Sequence, residues 1–492
     1  MSKKIAVIGA GFSGLAAAVK LAHLGYEVKV FEKNSIPGGR ARKYEENGFL
    51  FDMGPSWYWL PDVYEHFFNQ FGKTASDYYE LKRLDPSYRL FYSSEEVVDM
   101  PAGKENVIKL FESLEKGAGK KLEKFLNEAE YKYKVGMNDL VYKPARSLFE
   151  FINWPVIKGF FRLQILSSYY RYARNNFSDP RLFPVLEFPV IFLGSTPKRT
   201  PAMYSLMNYA DMVLGTWYPM GGFFRVIEGM ARLAADMGVE FIYDSPVQEI
   251  KVDNGKATGV VINEKFYPAG YIIGSADYHH TEQNLLLPEY RHYSNKYWDS
   301  REMSPSSLIF YLGINKKLKR LSHNNLFFDE DFPAHTAEIF ETPRWPGKPL
   351  IYISATSKTD PDVAPEGMDN LMVLIPVASG LEDNQEIREK YFRLVVERME
   401  HILGEPVADH IIFKRSYAHN DFISDYNAYK GNAFGLGNTL MQTAILKPRM
   451  HSPRVRNLVF AGQLTTPGPG VPPAIISGQV AALEVHKMAG NK

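Results

Sequence analysis

Residues 3–14 read KKIAVIGAGFSG, and this stretch decides the fold. The apolar run Lys3–Ile8 predicts a buried strand, which leads into an alanine-rich helix predicted at Ser13–Leu24. Glu27–Phe31 is again short and apolar, and it predicts a second strand. A strand, a helix and a strand in this order predict a parallel α/β sheet, because the crossover helix returns the chain to the same end of the sheet.

The turn between the first strand and the helix is Gly9-Ala10-Gly11-Phe12-Ser13-Gly14. Gly9 permits the tight turn, Gly11 lets a pyrophosphate approach the backbone, and Gly14 lets the helix pack on the strand. The helix N-terminus offers free N–H groups to the phosphate. Glu32 closes the second strand, where a carboxylate accepts both ribose hydroxyls of an adenosine. An acidic residue there favours NAD or FAD and repels the 2′-phosphate of NADP.

The composition excludes several classes of protein. With 492 residues, the chain is long enough for two or three domains. Lys and Arg number 57 against 56 Asp and Glu, so the net charge of +1 argues against general nucleic-acid binding. The absence of Cys removes disulfides, thiolate metal sites and cysteine nucleophiles. Aromatic residues make up 14%, which predicts the lining of a flat or apolar ligand.

Neither a secretory signal nor a membrane span is predicted. The apolar stretch Ile5–Ala10 is too short for a signal peptide and is broken by glycine. No apolar run approaches the ~18 residues that a membrane helix needs. We therefore expect a cytoplasmic protein whose contact with a bilayer, if it makes one, is at the surface.

The pattern along the chain predicts three regions. Short strands and turn signals recur in the first hundred residues, in a middle block and at the C-terminus, whereas the stretch between them is helical and aromatic. We expect a discontinuous nucleotide-binding domain from residues 1–100, 220–290 and 430–492, a helical region at 101–219, and a substrate domain with a mixed sheet at 291–429.

A second glycine motif follows the carboxylate. After Glu32-Lys33 come Pro37-Gly38-Gly39-Arg40-Ala41 and then Phe51-Asp52-Met53-Gly54-Pro55-Ser56. The glycine pair lets backbone pass beside a bulky cofactor, while the guanidinium meets phosphate or the polar edge of a flavin. This run resembles the opening of the flavoprotein superfamily that includes amine oxidases and phytoene desaturases.

The C-terminal motif narrows the family. Residues 457–473 read NLVFAGQLTTPGPGVPP, which is a strand, a glycine-rich turn and a helix start. The motif is similar to the closing signature of bacterial-type carotenoid (phytoene) desaturases. The blocks at residues 217–222, 275–280 and 357–361 agree with this family, and the resemblance covers nearly the whole chain in the expected order.

The resemblance implies an α/β (α+β) fold with a Rossmann-like FAD-binding domain, a mixed-sheet substrate domain and a helical, membrane-associating region. It implies FAD as the cofactor and no metal, and it implies that the backbone of Val247 touches the adenine. The cofactor-binding residues expected from the motifs and the resemblance are Gly9, Gly11, Phe12, Ser13, Gly14, Glu32, Lys33, Gly39, Arg40, Gly54, Pro55, Ser56, Val247, Ser275, Gly462, Gln463, Gly470 and Val471.

The resemblance also implies the reaction. A carotenoid desaturase removes hydride and proton from adjacent carbons, with the flavin as hydride acceptor and oxygen or a quinone as terminal acceptor. The family's commoner closing run carries a His, whereas this chain has Thr466, which resembles the hydroxycarotenoid 3,4-desaturase branch. A phytoene desaturase, a carotenoid isomerase, an amine oxidase-like flavoprotein and a non-enzymatic carotenoid carrier remain alternatives.

An aromatic stretch from Ser147 to Leu193 is interleaved with basic residues. It is interpreted either as helical core with solvated cations or as a surface that dips into lipid, peripheral to the inner face of the cell membrane. The residues are Phe149, Phe151, Trp154, Phe160, Phe161, Tyr169, Tyr170, Tyr172, Phe188 and Phe192, with Lys158, Arg162, Arg171 and Arg174.

Two further positions are candidates for chemistry. Glu150 lies among these aromatic residues and roughly matches an acidic position of the family, so it is the nominated proton acceptor; the alternative is an exposed helix residue. His279 and His280 are adjacent, and on a strand their side chains would point to opposite faces, so a structural or cofactor-edge role is favoured over metal binding.

Overall fold

The computed structural model describes residues 3–151, 162–191 and 193–490. Its strands are β1 Lys4–Ile8, β2 Glu27–Phe31, β3 Lys43–Glu46, β4 Phe49–Asp52, β5 Leu81–Arg83, β6 Tyr88–Phe91, β7 Val97–Met100, β8 Trp217–Pro219, β9 Glu240–Ile242, β10 Glu249–Asp253, β11 Lys256–Ile262, β12 Lys265–Pro268, β13 Tyr271–Gly274, β14 Ser306–Ile314, β15 Asn324–Phe327, β16 Ile351–Ser354, β17 Asp369–Val377, β18 Ile411–Tyr417 and β19 Leu458–Phe460.

The α-helices of the described residues alternate with these strands. They are α1 Phe12–His23, α2 Pro61–Asn69, α3 Lys104–Leu114, α4 Ala118–Val135, α5 Tyr169–Asn176, α6 Leu182–Ile191, α7 Leu206–Tyr209, α8 Phe224–Asp236, α9 Tyr278–Gln283, α10 Asn295–Asp299, α11 Phe332–Phe340, α12 Gln385–Leu403, α13 His419–Tyr426 and α14 Val471–Met488.

The predicted β1–α1–β2 unit forms the centre of a five-stranded parallel sheet. The strand order is β19-β13-β1-β2-β9, so the sheet joins segments that are far apart in the sequence. The strands β1, β13 and β19 are short and almost wholly buried, as parallel strands covered by helices usually are, whereas the edge strand β9 is partly exposed. The expected Rossmann-like sheet is therefore confirmed.

Helix α1 is packed tightly between its own sheet and α14. A Cβ added at Gly478 of α14 would collide with the carbonyl oxygen of Ser13 and would lie 3.0 Å from the Cβ of Ala16. The C-terminal helix therefore reaches the first turn of α1 because both helices present small residues at the crossing. α14 begins at Val471, with Pro472 and Pro473 in its first turn, where a missing N–H costs nothing.

A second, seven-stranded sheet has the order β18-β14-β17-β16-β15-β6-β7. Its β15–β6 pair is parallel and its other pairs are antiparallel, so the predicted mixed sheet is confirmed. The long central strands β14 and β17 are buried almost throughout, and α12 covers one face of the sheet with Tyr391, Val395 and Met399. The three domain boundaries expected from the sequence stay a prediction.

Two helical details bear on the site. His279 and His280 lie in α9, not on a strand, because Asp277 caps that helix by accepting a hydrogen bond from the N–H of His280 at 3.2 Å. The strand interpretation of these two residues was wrong.

None of the described helices combines the length and the apolar character needed to cross a membrane.

Candidate active site

A single cavity of about 1280 Å³ runs along the C-terminal ends of β1 and β2 and on into the helical region. Among the predicted cofactor residues, all except Gly14 line it. These lining residues are Gly9, Gly11, Phe12, Ser13, Glu32, Lys33, Gly39, Arg40, Gly54, Pro55, Ser56, Val247, Ser275, Gly462, Gln463, Gly470 and Val471. The fold thus brings together residues from both ends and the middle of the chain.

Gly14 does not line the cavity but packs against the glycine turn. A Cβ on Gly14 would collide with the carbonyl oxygen of Gly9 and lie 2.5 Å from Ser275 Oγ. Ser275 Oγ, at the end of β13, lies 2.8 Å from the carbonyl oxygen of Ile8 and 2.9 Å from that of Gly9, to which it donates. Gly9 itself has a φ of 101°, which favours glycine. The turn is therefore held rigidly between β1, β13 and α1.

Gly11 has open space where a side chain would stand, because nothing lies within 4 Å of its Cβ position. It is the N-cap of α1, so the first N–H groups of that helix are directed past it. Gly39, with a φ of 53°, approaches from the other side, and its Cβ position is 3.5 Å from the Cα of Gly11. This glycine-lined gap suits a pyrophosphate.

Glu32 is the buried carboxylate of the site, with 5% of its surface exposed. Its Oε2 accepts a 2.8 Å hydrogen bond from the N–H of Ala10, and its Oε1 accepts from the N–H of Asn34 at 2.9 Å and from Asn34 Nδ2 at 2.8 Å. Within the described residues it has no ion-pair partner. A carboxylate oriented in this way has acceptor capacity left for ribose hydroxyls.

Arg40 lies deep in the cavity wall. Its Nη2 donates to the carbonyl oxygen of Asn432 at 3.1 Å, and its guanidinium carbon lies 5.4 Å from the ring centroid of Tyr426. With the Gln463 amide oxygen turned toward the guanidinium, Nη1 and Nη2 donate to it at 3.1 and 2.9 Å. Burial lowers the pKa of Arg40, and the nearby carboxylate of Asp277 opposes this shift. The buried Nε has no partner among the described residues, so the group can still bind an anionic or polar ligand edge.

Val247 follows Ser245-Pro246 and precedes β10, which begins at Glu249. It is 8% exposed and lines the cavity. Its N–H and C=O form no hydrogen bond with the described residues, whereas the N–H of Gln248 donates to Val261 in the sheet. The backbone of Val247 is therefore available to a ligand.

The other half of the cavity is apolar and aromatic. Trp57, Trp59 and Tyr352 form its wall next to Ser56. Trp57 is 5.2 Å from Trp59 and 5.4 Å from Tyr352 between ring centroids. Further apolar lining comes from α4, α7 and the segments around them, namely Tyr133, Met137, Leu140, Val141, Ile165, Pro201, Met203, Tyr204, Leu206 and Met207.

Sequence reasoning missed most of this apolar wall. Trp57 and Trp59 follow directly after the predicted Gly54-Pro55-Ser56 motif, and this proximity was the available signal. The lining residues of α7, by contrast, carry no motif and reach the cavity only through helix packing.

The buried carboxylate of Asp211 is connected to the aromatic wall by hydrogen bonds. Asp211 is 2% exposed, and its Oδ2 accepts a hydrogen bond from the Tyr88 hydroxyl at 2.8 Å. Thr216, whose hydroxyl also donates to Asp211, accepts a hydrogen bond from Trp59 Nε1 at 2.8 Å. Burial raises the pKa of Asp211 to about 7, while hydrogen bonds from Tyr88 and Thr216 limit the rise. Asp211 is therefore a buried group of the core.

Glu150 lies outside the lining that the described residues form. Its Oε2 accepts a hydrogen bond from the N–H of Arg146 at 3.1 Å. Arg146 in turn pairs with Glu484 of α14, and Glu484 also accepts from His451 Nε2 at 2.7 Å. The segment that carries Glu150 is thus fastened to the C-terminal helix.

The residues of the histidine pair and of the aromatic stretch take different positions in the structure. His279 stacks on Tyr429 at 4.0 Å, whereas His280 lines the cavity, and burial lowers the pKa of each to about 4. Tyr169 and Phe188 are buried core residues, whereas Phe149 is 82% exposed. Trp154, Lys158, Phe160, Phe161 and Phe192 lie outside the described residues.

A glycine turn between a parallel strand and a helix, followed by a buried carboxylate at the end of the next strand, defines a dinucleotide-binding protein. The sequence profile described as Flavin containing amine oxidoreductase matches residues 12–486. The chain therefore belongs to the flavin-containing amine oxidoreductase family, within which its relatives are carotenoid desaturases. The predicted FAD cofactor and oxidoreductase class are confirmed.

Several known proteins are similar over the full length. The chain is 38% identical to the carotenoid 3,4-desaturase of Haloarcula japonica, with 97% of each chain covered. It is 31% identical to the zeta-carotene-forming phytoene desaturase of Myxococcus xanthus, covering 97% of this chain and 93% of that one. An oxidoreductase from Methanosarcina mazei shares the fold, with a TM-score of 0.63 at 16% identity and coverage of 98% and 100%.

Proposed function

We propose that this FAD-dependent oxidoreductase is a carotenoid desaturase that introduces a C=C bond into a hydroxylated carotenoid, as a 1′-hydroxycarotenoid 3,4-desaturase of carotenoid biosynthesis. The observation that carries the proposal is the single cavity, which joins a dinucleotide cradle to a long apolar slot without a dividing wall. The similarity to the carotenoid 3,4-desaturase of Haloarcula japonica supports the choice of branch.

The predicted cofactor residues are proposed to hold FAD. Glu32 and the backbone of Val247 suit the adenosine, the turn from Gly9 to Ser13 suits the pyrophosphate, and the N-terminus of α14 at Gly470 suits the flavin end. FAD, when bound, supplies the hydride acceptor that desaturation requires. The polypeptide then has to bind the polyene, orient the reacting carbons and exclude water.

The aromatic wall is suited to the charge that develops in the substrate. Removal of hydride leaves positive charge spread along a conjugated chain, and aromatic faces attract positive charge by about 0.5–2 kcal/mol each. Trp57, Trp59 and Tyr352 present such rings at the junction of the two halves of the cavity. These rings also keep water away from the reacting carbons.

Glu150 remains the proposed proton acceptor. Its carboxylate is held by the N–H of Arg146, on a segment adjoining Lys143 and Val141, both of which line the cavity. The position of this segment in sequence beside cavity-lining residues supports the proposal.

We also propose that the protein binds peripherally to the inner face of the cell membrane. Phe149, Leu166 and Met441 are 82%, 79% and 73% exposed, and Leu446 is 43% exposed. Neighbours of these residues in sequence, including Ile165, Thr443 and Ala444, line the apolar end of the cavity. A surface with exposed apolar side chains beside the entrance of an apolar slot suits extraction of a water-insoluble substrate from lipid.

The test is a reconstitution in liposomes with FAD and either phytoene or a 1′-hydroxylated γ-carotene. Lengthened conjugation of the hydroxylated substrate alone is the expected result. Desaturation of phytoene alone would assign the chain to the phytoene desaturase function, which its similarity to the Myxococcus xanthus enzyme favours. Performing the assay without air, with and without a quinone, separates oxygen from quinone as the terminal acceptor.

A further inference from the structure

A group of buried polar side chains without partners surrounds the closing turn of the cavity. Asn438, Thr439 and Thr466 are each 5% exposed and Lys447 is 3% exposed. Among the described residues, Asn438 Oδ1, Thr439 Oγ1, Thr466 Oγ1 and Lys447 Nζ have no hydrogen-bond partner. We call these four residues the polar group.

Three members of the polar group lie around Gly468, and two of them line the cavity. Asn438 Oδ1 and Lys447 Nζ each lie 3.1 Å from the Cβ position of Gly468, and Thr466 is two residues before that glycine. Asn438 and Thr466 themselves line the cavity, together with Pro467 and Pro469 of the same turn. The turn connects Gln463 with Gly470, so the polar group lies beside the proposed flavin end.

Unpaired polar atoms in such a place indicate a polar ligand. A buried polar atom without a hydrogen bond is costly and rare in folded proteins. The surrounding wall is apolar, so a pure hydrocarbon bound beside Asn438 and Thr466 would give neither side chain a partner, whereas a hydroxyl group gives one to both. Burial also lowers the pKa of Lys447 to about 7.

We propose that Asn438 and Thr466 bind a hydroxyl group on the end of the carotenoid that enters the cavity, with Lys447 Nζ beside the same glycine turn, 3.1 Å from the Cβ position of Gly468. This inference rests on the proposed function and names the group that selects the substrate. A hydroxyl donates to the Asn438 amide oxygen and accepts from the Thr466 hydroxyl, so both partners and the ligand are satisfied. In 1′-hydroxy-γ-carotene the open-chain end that carries the hydroxyl also carries carbons 3′ and 4′, and the proposal places the desaturation at that end, so that the hydroxyl enters together with the reacting carbons.

The side chains permit nearly isosteric tests. Asn438→Leu and Thr466→Val keep the volume and remove the polar atoms, and Lys447→Met removes the amine. Thr196→Val is the matched control, because Thr196 is also a buried threonine with an unpaired hydroxyl but does not line the cavity. Binding of 1′-hydroxy-γ-carotene and of γ-carotene is measured from the shift in carotenoid absorbance, with FAD content recorded for each variant.

The wild type is expected to bind the hydroxylated carotenoid more tightly than γ-carotene. Asn438→Leu and Thr466→Val are expected to reduce this preference by about 10- to 100-fold, because a site that hydrogen-bonds a hydroxyl discriminates strongly against its loss. In these two variants, the affinity for γ-carotene and the FAD content are expected to equal those of the wild type. The control Thr196→Val is expected to keep the wild-type preference for the hydroxylated carotenoid. Lys447→Met is expected to raise KM for the hydroxylated substrate more than it lowers kcat.

Two results would overturn the proposal. The first is an unchanged preference in Asn438→Leu and Thr466→Val. The second is a loss of FAD from these variants, which would mean that the polar group faces the cofactor. Failure of the proposed function is distinguishable, since a wild type that prefers the hydroxylated carotenoid without desaturating it retains the pocket and lacks the reaction.

Discussion

The N–H of Ala10 donates a 2.8 Å hydrogen bond to Glu32 Oε2, and this bond joins the glycine turn to the end of the neighbouring strand. One carboxylate therefore fixes the turn that suits a pyrophosphate and faces the space that suits a ribose. The turn after β1 and the carboxylate after β2 lie side by side because adjacent parallel strands are only about 4.8 Å apart.

Glu32→Gln is expected to weaken FAD binding by roughly 10- to 100-fold, because hydrogen bonds to a charged group contribute about 1.5–3 kcal/mol. The affinity is measured by quenching of flavin fluorescence during titration of the apoprotein. Glu27→Gln, at the exposed start of β2, is the matched control and is expected to leave the affinity unchanged. Equal affinities for Glu32→Gln and the wild type would contradict the adenosine assignment.

Gly11→Ala is expected to impair FAD binding, whereas Gly14→Ala is expected to lower the stability of the protein. Nothing lies within 4 Å of the Cβ position of Gly11, so alanine there leaves the stability of the apoprotein intact and obstructs only the pyrophosphate. Alanine at Gly14 would collide with backbone at Gly9, and overpacking of this kind costs about 1–3 kcal/mol. Thermal unfolding of both apoproteins and FAD titration distinguish the two; equal unfolding temperatures for the two variants would refute the packing argument.

Asp211 is expected to make stability depend on pH. Its pKa is about 7 in the folded protein against 3.8 when unfolded, so between these values the native state holds a proton that the unfolded state has released. Stability should therefore fall as pH rises from about 4 to 7 and level off above. Asp211→Asn is expected to remove up to ~1.4 kcal/mol per pH unit of this slope.

Urea unfolding at several pH values measures this dependence. Asp236→Asn is the control, because Asp236 is exposed at the end of α8. A slope in Asp211→Asn that matches the wild type would show that Asp211 is not the group responsible.

The proposed membrane surface can be tested by flotation with anionic liposomes. Phe149→Ser combined with Met441→Ser is expected to reduce the bound fraction several-fold, since each exposed side chain contributes about 1.5–3 kcal/mol when it is buried in lipid. Phe266→Ser removes a phenylalanine that is 47% exposed in the separate sheet of β10, β11 and β12, and it is expected to have no effect. Comparable losses in both variants would argue against a specific surface.

Glu150→Gln is expected to lower kcat by 100-fold or more with little change in KM, which is the usual effect of removing a general base. The assay uses the FAD-loaded enzyme in liposomes with the hydroxylated substrate. Glu123→Gln, on the exposed face of α4, serves as the control. Full turnover in Glu150→Gln would rule out its role as proton acceptor.

The dinucleotide half of the site could be predicted from short stretches of sequence. Spacing within residues 9–14 and the carboxylate at Glu32 depend on local geometry, since a turn, a helix start and an adjacent strand are all encoded within one βαβ unit. The C-terminal motif around Gly462 was recognisable for the same reason, and its return to the first sheet followed from the resemblance.

The apolar half of the cavity and the polar group depend on packing between segments that are distant in the sequence. Met203 and Leu206 line the slot because of the way α7 packs, and no short-range pattern distinguishes such residues from ordinary core. The side-chain polar atoms of Asn438, Lys447 and Thr466 have no partner among the described residues, and burial, a property of the whole fold, removes them from water. Contacts between distant segments are absent from local sequence patterns, and these contacts create the slot.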